Sequence, residues 1–236
     1  ILAIHRELIG ILGADPEIIW EAERIAEEQS CYRPLLDIYS DLFDSSDSLE
    51  EGMDWRLKAG ILLEEKLEDY GGADDVYSRL LEVDPQNKII IDRLISANIK
   101  MKSPERLLES LDSLQERSND TDIKAYILRQ KSSVQDQFLE DPSAAMDSVV
   151  QAIQLTLGDE EYLTQLEELV RRHDAHDRLL EVYRYIYQIA PSVREKRRWL
   201  SRCAQVLASP LNRPRESLQT LLEAFSLMPE EGEWLD

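Results

Sequence analysis

The chain has few of the residues that build turns, cross-links or metal sites: two cysteines, three histidines, eight glycines and nine prolines in 236 residues. Cys31 and Cys203 lie far apart, so their spacing builds neither a disulfide framework nor a metal knuckle. Each reads as a small core hydrophobe in an apolar helical context. So little glycine and proline argues against an all-β chain of many short strands. No run approaches the roughly 18 consecutive apolar residues of a membrane span, so no membrane insertion is expected. Positive charge is scarce too: 27 basic side chains stand against 48 acidic ones, a net charge of -21. A field of that sign repels polyanions, which argues against nucleic acid and anionic membranes as partners.

Apolar residues make up 43% of the chain, enough to bury a substantial core. They recur with a long period. Leu36, Leu108 and Leu180 are spaced by 72 residues, as are Leu35, Leu107 and Leu179, and Trp55, Ile127 and Trp199. Small residues keep the same register at Gly60, Ser132 and Ala204. A fixed period of this kind is the mark of a repeat architecture. It divides the chain into periods 14–85, 86–157 and 158–229. Residues 1–13 read as the end of a preceding repeat and 230–236, with Trp234 and Leu235, as the start of a following one. Neither end shows a polar capping face, so the expectation is a window on a longer array.

Within one period the apolar spacing predicts four helices. Glu17 to Glu28 carries Ile18, Ile19, Ala22, Ile25 and Ala26 on one face. Pro34 fits the first turn of the next helix, which buries Leu35, Leu36, Ile38, Tyr39 and Leu42 and stops in the Ser/Asp run from Asp44 to Ser48. A third helix is expected from about Asp54 to Leu67, with Gly71-Gly72 as the break after it. The fourth runs from Ala73 to Val83 and ends at Asp84-Pro85, because proline disfavours helical geometry in the residue before it. Three periods then hold about twelve helices.

The fourth helix, Ala73-x3-Tyr77-x2-Leu80-x4-Pro85, resembles the second helix of a tetratricopeptide repeat. Later periods supply Ala145, Val149, Ala152 and Leu157, then Ser217, Leu221, Ala224 and Pro229, and Gly60, Ser132 and Ala204 match the family's small packing residue. The likeness covers essentially the whole chain in degenerate form, since the tyrosine and one proline are replaced. It implies an all-α, right-handed α-solenoid of antiparallel helical hairpins that binds peptides, helices or domains. The asparagine and lysines with which some members clamp a carboxylate tail are not carried over, because only Asn98, near Lys100 and Lys102, suggests them.

Chemistry finds little support in the sequence. His173, Asp174, His176 and Asp177 have a spacing that could ligate a metal, but they fall at a predicted turn, where Asp174 or Asp177 serves better as a helix N-cap. No glycine-rich phosphate loop or nucleophile elbow appears, and pairs such as Glu64-Glu65 read as solvated faces. No catalytic residue, metal or cofactor is expected. Trp20, Trp55, Trp199, Tyr39, Tyr77 and Tyr183 read as core. Tyr183, Tyr185 and Tyr187 cannot all share one helix face, so one of them, taken as Tyr185, should point outward as a contact residue.

Charge is unevenly distributed. Residues 14–85 hold 21 acidic and 6 basic side chains, whereas residues 158–229 hold 11 of each. The last period carries the basic run Arg194, Lys196, Arg197, Arg198 and Arg202. Tyr185, Arg194, Arg197, Arg198 and Arg202 are therefore the expected partner-binding residues. The expected function is a non-enzymatic protein–protein interaction scaffold; the alternative is a regulatory or substrate-recruiting segment of a larger enzyme whose catalytic domain lies outside this window. Self-association, acidic first period against basic last, is a further option. The sequence leaves the compartment open, with cytoplasm slightly favoured.

Overall fold

The computed structural model describes residues 1–227. Pro229, Trp234, Leu235 and the segment 230–236 lie outside the described residues. The described chain is all α, with thirteen helices and no strand. After α1 (Leu2–Leu12), the first period folds as α2 (Pro16–Gln29), α3 (Arg33–Ser45), α4 (Leu49–Glu65) and α5 (Tyr70–Val83). The second folds as α6 (Lys88–Met101), α7 (Pro104–Arg117), α8 (Thr121–Gln137) and α9 (Pro142–Leu155). The third folds as α10 (Glu160–His173), α11 (His176–Ile189), α12 (Val193–Ala208) and α13 (Pro214–Ser226). Even-numbered helices open each hairpin and odd-numbered ones close it. The result is an all-α solenoid fold with four helices per 72-residue period.

The backbone carries the same period as the apolar skeleton. Asp15, Asn87 and Asp159 cap α2, α6 and α10, accepting from backbone N–H groups of the first turn. Ser48, Asp120 and Ser192 do the same for α4, α8 and α12. Such caps satisfy donors that a helix start leaves without intrahelical partners. The turns repeat as well: Ser30, Lys102 and Asp174 adopt left-handed φ values of 50, 56 and 55°, and Glu68, Glu140 and Asn212 values of 51, 52 and 49°.

Two boundaries differ from the sequence reading. Helix α4 starts at Leu49, ahead of Asp54, because Ser48 accepts from the Glu51 N–H at 3.1 Å and nucleates an extra turn. Gly71-Gly72 does not break the chain but opens α5. Asp69 accepts from the Gly72 N–H at 3.0 Å, and a Cβ on Gly72 would stand 2.9 Å from Asp69 Oδ2. Here glycine makes room for the cap.

The chain forms two compact units, Ile1–Ile123 and Lys124–Asp236. In the first, Ile19, Ala22, Ile25 and Ala26 of α2 join Leu35, Ile38, Tyr39 and Leu42 of α3 and Ala59 and Leu62 of α4 in one core. In the second, Ala125 and Leu128 of α8 join Val149 and Ile153 of α9, Leu163 and Leu166 of α10 and Tyr183 of α11. Ion pairs then tie helices two apart in order. In the first unit Lys58 and Lys66 reach Glu23 and Glu27 of α2, both near 2.8 Å, while Arg106 of α7 pairs with Asp74 of α5. In the second unit Arg129 pairs with Glu161, and Arg178 of α11 with Asp147 of α9. The pairs exposed on both sides contribute little each, about 0–1 kcal/mol, whereas Asp74 is buried.

Candidate partner-binding surfaces

Successive closing helices leave grooves between them. In the first unit α3 and α5 flank a groove of about 280 Å³ lined by Phe43, Arg56 and Arg79, with Arg56 lying over the Phe43 ring at 3.9 Å. Helices α5 and α7 flank one of about 240 Å³ lined by Ser78, Leu81, Glu109, Ser110 and Ser113. In the second unit α9 and α11 flank one of about 270 Å³ lined by Val150, Ile153, Glu181, Val182 and Tyr185. The last two sets are the same positions, displaced by 72 residues.

Tyr185 lies half-buried at a groove and packs against the core, so it does not point fully outward as expected. Tyr183 is buried in the core, and the Tyr187 hydroxyl donates to Glu223 at 2.6 Å. Arg198 and Arg202 of α12 are not free: both reach Glu160 of α10, Arg198 at 2.6 Å and Arg202 at 3.3 Å. Arg194 is exposed and Arg197 half-buried. The structure therefore splits the predicted arginines into a tethered pair, Arg198 and Arg202, and a pair with no ion-pair partner among the described residues, Arg194 and Arg197.

Arg202 belongs to a motif present in both units. Its guanidinium lies 4.6 Å from the Trp199 ring centroid and 5.7 Å from that of Tyr183, whose hydroxyl donates to Glu167. Exactly two periods earlier in number, Lys58 lies 4.9 Å from Trp55 and 5.8 Å from Tyr39, whose hydroxyl donates to Glu23 at 2.8 Å. Each ring pair is close, at 6.0 Å for Tyr39–Trp55 and 5.5 Å for Tyr183–Trp199. Burial, then the adjacent carboxylate, pushes both tyrosine hydroxyls above their ordinary pKa. The first pair is stacked and the second tilted by 50°; a cation over an aromatic ring adds about 0.5–1 kcal/mol at exposed sites, more when desolvated. The middle period has Ile95, Leu111, Ile127 and Gln130 at these positions. Sequence reasoning aligned the tryptophans but missed the cation and carboxylate, whose 144-residue spacing was the available signal.

Other expectations are corrected. Trp20 is not core: it is 62% exposed on α2, and its equivalents Asp92 and Thr164 are polar. Glu64 is not a solvated carboxylate but is only 2% exposed. It accepts from the Tyr77 hydroxyl at 3.0 Å, Ser96 Oγ at 2.6 Å and Lys100 Nζ at 3.0 Å, joining α4, α5 and α6. Burial opposes its charge, but these hydrogen bonds prevail and hold its carboxyl below the ordinary value. Asn98 is fully buried and donates to Asp74, and so presents no clamp.

The histidine cluster is a turn, with different capping from that expected. Asp174 is the left-handed C-cap of α10, and α11 starts at His176 behind Ala175, which provides no side-chain cap. His173 Nε2 lies 2.7 Å from Asp136 of α8, whereas His176 lies 3.3 Å from Asp174. Among the described residues no group of three or more His, Cys, Asp or Glu side chains is arranged to hold a metal ion. No helix in the described residues is long and apolar enough to cross a membrane.

The described helices thus define an all-α helical-hairpin repeat protein. No family model matches the chain, and no curated protein matches it. Among solved structures it is similar to a MamA protein, at 20% identity over 76% of this chain and 93% of that one, with a TM-score of 0.42. It is also similar to a tetratricopeptide repeat protein from Parabacteroides merdae ATCC 43184, at 10% identity over 90% and 80%, TM-score 0.46. A third is YrrB, described as a TPR protein with an unusual peptide-binding site, at 13% identity over 82% and 93%, TM-score 0.42. The fold assignment itself rests on the helices and packing of this chain.

Proposed function

We propose that the chain is a non-enzymatic scaffold that binds other proteins on the grooves and edges of its helical hairpins. One observation carries this reading: equivalent grooves keep their support and change their lining. Leu81 and Ile153 occupy the same place, as do Glu109 and Glu181, whereas Ser78, Ser110 and Ser113 of one groove become Val150, Val182 and Tyr185 of the other. Helix packing is served by either lining. A surface whose chemistry varies on a constant backbone suits recognition of different partner segments. Tyr185 is the contact residue of its groove, which Arg178 and Glu181 also line; Arg194 and Arg197, without an ion-pair partner among the described residues, meet partner carboxylates, and Arg198 and Arg202 hold the edge of α12 in place.

The test is capture from a lysate on the immobilised chain, followed by cross-linking and mass spectrometry to locate the contacts. Cross-links to α9 and α11 that disappear in Tyr185→Ala support the reading. Retention of no protein above a bare-matrix control overturns it.

A further inference from the structure

One arginine stands where the register places core. Arg56 of α4 has Leu128 and Leu200 as its equivalents in the next two periods, and these are 1% and 3% exposed. Arg56 itself is half-buried, and its guanidinium lies over the Phe43 ring of α3 at 3.9 Å. Phe43 stands where the later periods have Gln115 and Tyr187. A leucine at position 56 would bury more apolar surface, so packing does not account for the arginine. Its stem packs while its head stays at the surface. A guanidinium held over a ring keeps N–H donors at its edge for a planar anion.

Arg56 lines the groove of about 280 Å³ between α3 and α5, and Arg79 of α5 lines it too. The equivalents of Arg79, Gln151 and Glu223, carry no positive charge. Both arginines belong to the period 14–85, which holds 21 acidic and 6 basic side chains. Of those six, Arg24, Lys58 and Lys66 pair with glutamates. Arg56 and Arg79, like Arg33, have no ion-pair partner among the described residues. Asp44, the one carboxylate in the groove lining, pairs with neither. Two cations unpaired among so many carboxylates, and lining one groove, leave a place for an anion from another molecule. Leu36, Phe43, Leu63 and Val76 make the rest of the lining largely apolar.

The surroundings decide which anion fits. A phosphate or a run of acidic residues would bring several charges into the field of a strongly acidic period, with Asp44 at the groove itself. One carboxylate meets the least repulsion and matches the planar fork of arginine. The volume lies just below the roughly 300–1,000 Å³ of small-molecule pockets, which leaves room for a side chain and its neighbour but not for a larger ligand.

We infer that this groove binds one aspartate or glutamate side chain of a partner protein segment, whose carboxylate meets Arg56 and Arg79 while an adjacent apolar side chain rests on Phe43 and Val76. The inference rests on the scaffold reading and names the partner chemistry for one surface of the first unit.

The experiment is selection of a displayed random-peptide library on the whole chain, then fluorescence anisotropy of the selected peptides, acetylated and amidated so that no terminal carboxylate remains. The expected consensus is a single Asp or Glu beside an apolar residue. Arg56→Leu and Arg79→Gln each install the residue that the second period carries, and each should weaken binding by about tenfold or more. Replacing the peptide's carboxylate by its amide should weaken binding to the native chain but not to the double variant. Arg56→Leu should melt no lower than the native protein; a clear fall would make the arginine a packing residue and overturn the proposal. A consensus without a carboxylate, an acidic run, or tighter binding of a phosphoserine version of the peptide also overturns it. Peptides that bind all variants equally overturn it as well, and proteins captured in the lysate experiment would then leave the scaffold reading standing. Failure to select any peptide, together with no captured protein, removes both.

Discussion

Gly60 of α4 faces the ring of Tyr77 of α5 so closely that a Cβ at position 60 would stand 2.6 Å from Cε1. Tyr77 is fully buried and its hydroxyl is held by Glu64, so the ring has no easy retreat. Alanine is the better helix former by about 0.8–1.0 kcal/mol, but overpacking a filled core costs about 1–3 kcal/mol. The second effect wins here. Gly60→Ser should lower stability in a urea titration, and less so when Tyr77→Val is also present, because Ser132 and Val149 already stand in that combination one period later. Equal losses in both backgrounds would show that the ring does not enforce the glycine.

Glu64 makes stability depend on acid. Its carboxyl is held below the ordinary value of 4.5, so its contribution is complete above that pH and is lost as pH falls through the folded value. Glu64→Gln should cost about 1–3 kcal/mol near neutrality, since it weakens charge-assisted hydrogen bonds in a buried network. The gap to the native protein should close on acidification below about pH 4.5. Chemical denaturation at a series of pH values reads this directly, and parallel curves would count against the network.

Leu157 adopts a left-handed backbone, φ 55°, with its side chain exposed. Replacing a left-handed leucine by glycine removes a strain of roughly 1–2 kcal/mol, offset in part by the greater freedom of glycine in the unfolded chain. Leu157→Gly should therefore unfold at the same or a slightly higher temperature by calorimetry. A clear fall would mean that the leucine serves packing.

The two thiols should separate by reactivity. Cys203 is buried in α12, and burial pushes its thiol up to about 11. Cys31 sits half-buried in the α2–α3 turn. The thiolate is the reactive form, so iodoacetamide at mildly alkaline pH should modify Cys31 in the native protein and Cys203 only after denaturation. Peptide mass mapping distinguishes the sites, and rapid native labelling of Cys203 would contradict its burial.

The fold was legible because its signals are local and repeated. Asp15, Asn87 and Asp159 cap equivalent helices, and the spacing of Leu35, Leu107 and Leu179 marks equivalent buried positions. The surfaces were less legible, because exposure depends on which neighbour covers a helix face. Trp20 looks like core by residue type, yet no other helix buries it. Glu64 looks like a solvated acid beside Glu65, yet the 100° turn between neighbours puts it under Tyr77, Ser96 and Lys100. Alternation says only that Tyr183, Tyr185 and Tyr187 cannot share one face; that Tyr185 is half-buried against the core and lines a groove with α9 depends on a helix distant in sequence.

The alternation of two turn types, one with left-handed Ser30, Lys102 and Asp174 and the other with Glu68, Glu140 and Asn212, bears on how such a chain can change in length. Excising one hairpin would set two turns of the same type in succession and slide the cation–aromatic clusters out of the 72-residue register. Removing or adding 72 residues keeps the alternation of turn types and a capped start for each opening helix at the splice. Duplication in evolution, and shortening in the laboratory, should therefore proceed in pairs of hairpins.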